Sequence, residues 1–219
     1  MMDQPLLFRC EHNPKREYHC DALAGKFPDA EEYSLPAGER PAPADIDAAD
    51  AAVISGSTAG VYEADDRPWI EEGRGLVREL VDARVPTLGV CFGHQLVNDA
   101  LGGRVEHRGL RAGLVEADFG DDPLFAGVSP VVPAIHGDVV LETGTGLDPI
   151  ASVQDYEYPL FATRHDTAPV WTVQFHPEIG PEHESRLEDS FGWQPDGHAF
   201  GEVTGDRLFE NFRGLARQY

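Results

Sequence analysis

Lysine is almost missing from this chain: Lys15 and Lys26 are the only two among 219 residues. Arginine does not make up the shortfall, because Lys and Arg together number 17 against 39 Asp and Glu, and the formal charge is −22. Such a surface repels phosphate backbones and anionic membranes, so neither nucleic acid nor a membrane is expected as a partner. Long apolar runs are missing too. No stretch reaches the roughly 18 residues of a membrane span, and no charged-then-apolar leader opens the chain. Cysteine is scarce, with only Cys10, Cys20 and Cys91, which argues against a disulfide framework and for a reducing compartment. These absences read as a soluble cytoplasmic protein. At 24.0 kDa the chain is expected to form one domain over residues 1–219. The acidic excess further resembles proteins of salt-loving cells, where high ionic strength screens self-repulsion.

What is present alternates between strand and helix. Pro5 to Cys10 and Ala51 to Ser55 are short apolar runs bounded by polar residues, as strands are. Leu35 to Asp50, rich in Pro, Ala and acid, reads as a loop. In Trp69 to Ala83 the apolar residues Ile70, Leu76, Val77, Leu80 and Val81 recur at helical spacing. The strand Val85 to Val90 and the helix-like stretch Gln95 to Leu101 follow. This order predicts an α/β fold, an open and mostly parallel twisted sheet with helices on both faces. Later strands are expected at Leu114 to Ala117, Val131 to Ile135, Val139 to Glu142, Leu160 to Thr163 and Pro169 to Phe175. Residues 179–203 form an extended segment carrying Phe191, Trp193 and Phe200, which either covers a pocket, makes a partner surface or is a solvated excursion.

Chemistry concentrates at two places. In Gly89-Val90-Cys91-Phe92-Gly93-His94-Gln95 a thiol stands between a strand and a helix, flanked by glycines that permit a sharp turn. The helix N-terminus favours a thiolate there. Far downstream, Val173-Gln174-Phe175-His176-Pro177-Glu178 ends a β-rich run with His and Glu two residues apart, on the same side of an extended backbone. An imidazole oriented by a carboxylate is what a thiol nucleophile requires, so Cys91, His176 and Glu178 are the candidate catalytic residues. In open α/β sheets ligands gather at the carboxyl ends of strands, where Gly56, Cys91 and His176 all fall. Gln95, one helical turn after Cys91, lies near the same face. Cys10, His12, His19 and Cys20 lack a regular Cys-x-x-Cys element, and no metal site is expected from them.

Taken together, Gly-Val-Cys-Phe-Gly-His-Gln followed by Gln-Phe-His-Pro-Glu resembles the class I (triad) glutamine amidotransferases, whose fold is flavodoxin-like. Ala52-Val53-Ile54-Ser55-Gly56-Ser57 looks like that family's strand and glycine loop, which implies an oxyanion hole from the N–H groups of Gly56 and Phe92. Ala134-Ile135-His136-Gly137-Asp138 and the closing Gly205 to Phe212 are similar to the amidotransferase domain of GMP synthetase. The resemblance implies substrate contacts from Gln95, Ser57 and His136. It also implies hydrolysis of the glutamine amide through a Cys thioester, no cofactor for that half-reaction, and ammonia passed to a separate synthetase chain. Arg111 stands where the family usually has a carboxylate, which leaves glutamine and another γ-glutamyl compound both open as substrate. A stand-alone γ-glutamyl peptide hydrolase and a non-catalytic metabolite- or partner-binding member of the fold are the competing expectations.

The charge generates a first prediction. Transfer from concentrated KCl to dilute buffer is expected to unfold the protein, read as loss of far-UV circular dichroism, because self-repulsion is then unscreened. An unchanged spectrum and melting temperature in dilute buffer would contradict it.

Overall fold

The computed structural model describes residues 4–154 and 157–219. The chain runs β1 (Pro5–Arg9), α1 (Tyr18–Lys26), β2 (Glu31–Ser34), α2 (Pro43–Ala48), β3 (Ala51–Ile54), α3 (Trp69–Asp82), β4 (Thr87–Val90) and α4 (Phe92–Ala100). It continues through β5 (Arg104–Glu116), β6 (Asp118–Phe119), β7 (Val131–Glu142), β8 (Leu147–Ser152), β9 (Leu160–His165), β10 (Val170–Val173), α5 (Glu184–Phe191) and α6 (Gly205–Ala216).

Successive residues of the parallel strands are buried on opposite faces, which is why these strands read as unbroken apolar runs. Leu7, Val53, Val90 and Trp171 share one core with Leu23 of α1 and Leu208, Phe209 and Phe212 of α6. Leu6, Phe8, Ile54 and Val170 share the other with Ile70, Leu76 and Leu80 of α3 and Leu96 and Val97 of α4. Helices therefore cover both sides of one sheet, of strand order β2-β1-β3-β4-β10-β9-β8-β6. From β2 to β10 neighbouring strands are parallel. The last three strands are antiparallel. The long strands β5 and β7 pair in a separate antiparallel ribbon.

The site depends on one feature of this order. β10, late in sequence, inserts beside β4, so the carboxyl ends of β3, β4 and β10 lie side by side. Val90 pairs with Val173, and Ile54 with Gly89.

Several local expectations are corrected. Leu35 to Asp50 is not all loop, since α2 lies within it and buries Ile46. α1 and β2 had no clear apolar period: α1 buries His19 and Cys20 beside Leu23, and β2 is a half-exposed edge strand. α4 begins at Phe92, three residues earlier than the apolar pattern suggested, and it carries Gly93 in its first turn. Val131 to Glu142 is one strand rather than two, because pairing with β5 carries it straight through Gly137. The extended segment 179–203 is folded. It contains α5, closed by Gly192 at φ 64°, and it buries Leu187 and Trp193 against Leu114, Ile135 and Ile179. The Gln194 N–H donates to the Ala112 carbonyl of β5 at 3.0 Å. No helix among the described residues is long and apolar enough to cross a membrane.

A buried polar belt ties α4 to the sheet. His94 Nδ1 lies 2.7 Å from Thr172 Oγ1, which is 2.6 Å from Thr163 Oγ1, and Asn98 donates to the His94 carbonyl at 2.9 Å. Burial pushes the His94 imidazole down to about 3, and burial likewise pushes His136 down to about 4. The unfolded chain takes up these protons near pH 6.5 while the folded chain refuses them, so stability falls as the pH drops below 6.5. His19 and His176 are shifted upward instead, and their contribution is already complete in this range. From pH 6.5 to 5, His94 alone is expected to cost about 2 kcal/mol. Urea unfolding at the two pH values should show this slope, and His94→Gln should reduce it while leaving the contribution of His136.

Candidate active site

The turn from β4 into α4 is the most constrained backbone in the site. Cys91 has φ 51° and ψ −102°, a region that a non-glycine residue enters only when its surroundings force it. The forcing is visible on either side. A Cβ at Gly89 would lie 2.7 Å from the Gly93 carbonyl oxygen, and one at Gly93 would overlap the Ile54 carbonyl of β3. Gly93 N–H donates to Ser55 O at 3.1 Å and Cys91 N–H to Val173 O at 2.8 Å, so the elbow is pinned to both neighbouring strand ends. The Cys91 sulfur is thereby presented to a cavity of about 370 Å³, 3.6 Å from the Ile135 carbonyl and 3.6 Å from Gln174 Nε2.

His176 and Glu178 do meet, though not along an extended strand as expected. β10 ends at Val173, and a turn follows in which Ile179 N–H donates to His176 O at 3.2 Å. That turn brings His176 Nδ1 to 2.6 Å from Glu178 Oε1, with both side chains buried. Burial opposes charge on the imidazole, but the Glu178 carboxylate and a direct interaction with Cys91 outweigh it and hold the His176 pKa well above its ordinary value. The imidazole thus stands between the carboxylate it meets and the cavity that it lines together with Cys91.

The remaining sequence candidates divide. Gly56 sits against the His176 ring: a Cβ there would lie 2.9 Å from His176 Cε1. Phe92 opens α4, where first-turn N–H groups have no acceptor within the helix. Ser57, Gln95 and His136 all line the cavity with Cys91 and His176. Gln95 Nε2 donates to Asp138 O at 3.2 Å and Gln174 Oε1 at 3.3 Å, while His136 Nδ1 lies 3.0 Å from Asp138 O. Arg111 does not join them. It is exposed on β5, opposite His136 in register, and lines a neighbouring groove with Arg108 and Tyr158.

Sequence reading missed other parts of the wall. Gln174 contacts the sulfur, and its position two residues before His176 was the available signal. At the mouth, Tyr62 donates to Asp138 Oδ1 at 3.1 Å and His107 Nδ1 lies 2.8 Å from the same oxygen. Ile179 and Phe191 of the extended segment complete the lining, so this segment walls the cavity. The four N-terminal groups fall into two pairs: Cys10 and Cys20 flank Ser55, while His12 and His19 both face Glu11.

The chain belongs to the class-I glutamine amidotransferase family, whose model matches residues 33–192. Among curated proteins it is similar to GMP synthase (glutamine-hydrolyzing) of Thermotoga maritima, 33% identical over 141 residues, which are 62% of this chain and 25% of that protein. It is also similar to one subunit of the GMP synthase (glutamine-hydrolyzing) of Methanothermobacter thermautotrophicus, 31% identical over 154 residues, 68% of this chain and 71% of that one. The chain therefore spans about a quarter of the length of the full synthases it matches. The fold is shared with the crystal structure of a glutamine amidotransferase from Thermotoga maritima, at TM-score 0.72 and 19% identity over 99% of this chain and 96% of that one.

The elbow yields a prediction. Gly93→Ala must displace α4 from β3, since the obstacle is backbone rather than a movable side chain. A loss of about 2–4 kcal/mol, or an unfolded product, is expected in chemical denaturation, whereas Gly75→Ala on α3, whose Cβ meets nothing within 4 Å, should be neutral or stabilising.

Proposed function

We propose that this protein hydrolyses the side-chain amide of glutamine and releases ammonia for a separate synthetase chain. The observation that carries the reading is that Cys91 and His176 line one cavity from adjacent strand ends, with the Glu178 carboxylate 2.6 Å from the His176 ring. In this mechanism His176 takes the Cys91 proton and the sulfur attacks the amide carbon. The N–H groups of Gly56 and Phe92 receive the oxyanion as the carbonyl becomes tetrahedral. Collapse breaks the C–N bond, ammonia leaves with the proton from His176, and a γ-glutamyl thioester remains. Water, deprotonated by His176, then cleaves the thioester and restores the thiol. Glu178 fixes the imidazole tautomer and balances its charge. Gln95, Ser57 and His136 contact the substrate.

The synthetase partner rests on the relatives: the Methanothermobacter thermautotrophicus protein is named as one part of a GMP synthase, and the matched region of the Thermotoga maritima protein is a quarter of its length. Arg111 lines a groove that shares His136 with the cavity without itself lining the cavity, and we take glutamine rather than another γ-glutamyl compound as the substrate.

The test is ammonia release from glutamine in concentrated KCl, compared with release from a γ-glutamyl dipeptide. Glutamine should be the better substrate, and a synthetase partner should stimulate it. Cys91→Ala should abolish turnover together with labelling by a glutamine-like electrophile, and His176→Ala should lower turnover by about 10³-fold or more. Labelling that persists at Cys10 or Cys20 in Cys91→Ala would sink the assignment. Faster cleavage of the dipeptide would replace it with a peptide hydrolase.

A further inference from the structure

Beside the Cys91 site lies a second buried carboxylate–imidazole pair. Glu11, in the loop after β1, is 4% exposed, and its Oε2 lies 3.3 Å from His19 Nε2. The same carboxylate accepts Thr58 N–H at 2.9 Å, the Thr58 hydroxyl at 2.8 Å and Asn13 N–H at 2.8 Å. It therefore ties the N-terminal loop to the glycine loop that carries Gly56. His19 packs edge-on against His176 with ring centroids 5.9 Å apart. Gly56 is held between the two rings: a Cβ there would stand 2.9 Å from His176 Cε1 and 3.4 Å from His19 Cε1.

We infer that Glu11 and His19 are positioning residues, which together set the Gly56 N–H against the reacting carbonyl and seat an imidazole beside His176. The inference rests on the amidase reading above. His19 borders the cavity but does not act on substrate, because Nε2 is engaged by Glu11 and Nδ1 lies 3.7 Å from Cys20 Sγ. Cys20 is fully buried, which removes it as a competing nucleophile. The groups facing His19 are Glu11 from the loop, Cys20 from its own helix and His176 from the turn after β10. Cys91, Glu178 and His136 stand around His176 in turn. Burial opposes the His19 cation, but Cys20 and Glu11 raise its pKa to about 9, so the cation persists at neutral pH. A cation there makes the first proton of the Cys91–His176 pair easier to remove.

The experiment follows alkylation of Cys91 by iodoacetamide against pH, read by mass spectrometry so that Cys10 and Cys20 are counted separately, alongside kcat and KM for glutamine. His19→Gln should move the acid limb of the Cys91 profile upward by about half to one pH unit. It should also lower kcat about tenfold with KM nearly unchanged, since the Gly56 N–H matters most in the transition state. Glu11→Gln should shift the limb in the same direction. Thr58→Val keeps both charges and loosens only the loop, so kcat should fall while the limb stays in place. If His19→Gln does not fold, Glu11→Gln carries the test. A folded variant of either residue with the wild-type limb and kcat overturns the inference. Because the alkylation profile needs no turnover, a wild-type protein that releases no ammonia would defeat the amidase reading separately.

Discussion

The structure depends on one close approach, the backbone of α4 against the carboxyl end of β3. Gly93 has no room for a methyl group beside the Ile54 carbonyl, and Gly89 has none beside Gly93. This contact sets the angle at which α4 leaves β4, forces Cys91 to a positive φ and turns its sulfur toward the cavity. The strain of order 1–3 kcal/mol that such a conformation costs is offset by the two apolar cores on either face of the sheet. Gly93, which weakens α4 by propensity, is thus also a residue that gives the site its geometry.

Electrostatically the molecule has two regimes. Its exterior is dominated by acid, whose mutual repulsion falls as ionic strength rises. Its interior separates histidines by environment: burial pushes the pKa values of His94 and His136 down, whereas those of His19 and His176, each beside a carboxylate, are raised. Four imidazoles within one small region are therefore shifted in opposite directions, a spread that groups at functional sites often show.

The extended segment and the β5–β7 ribbon have a related role. Neither belongs to the main sheet, yet Ile179 and Phe191 of the first and Leu110, Ile135 and His136 of the second enclose the mouth of the cavity. Trp193 and Leu187 pack these two additions onto each other through a small separate core. A wall built this way leaves the strand ends open to chemistry while limiting access to them.

The amino-acid order alone determined the first strand, the alternation of strands and helices from Ala51 to Ala100, the glycine-flanked thiol and the downstream imidazole with its carboxylate, because these are written in local period and short spacing. α1 and β2 were not legible, since their burial comes from partners distant in sequence rather than from an apolar stripe. Glu11 carried no signal of its own, His19 was read only beside Cys10, His12 and Cys20, and Arg111 was read as standing where the family usually has a carboxylate. Only the insertion of β10 beside β4, the turn that joins His176 to Glu178, and the loop seated on Glu11 decided which of these side chains share a cavity. The reason is physical: local propensity sets which element a segment forms, but which strands become neighbours is set by burying both faces of one sheet, a constraint that no short window of sequence contains.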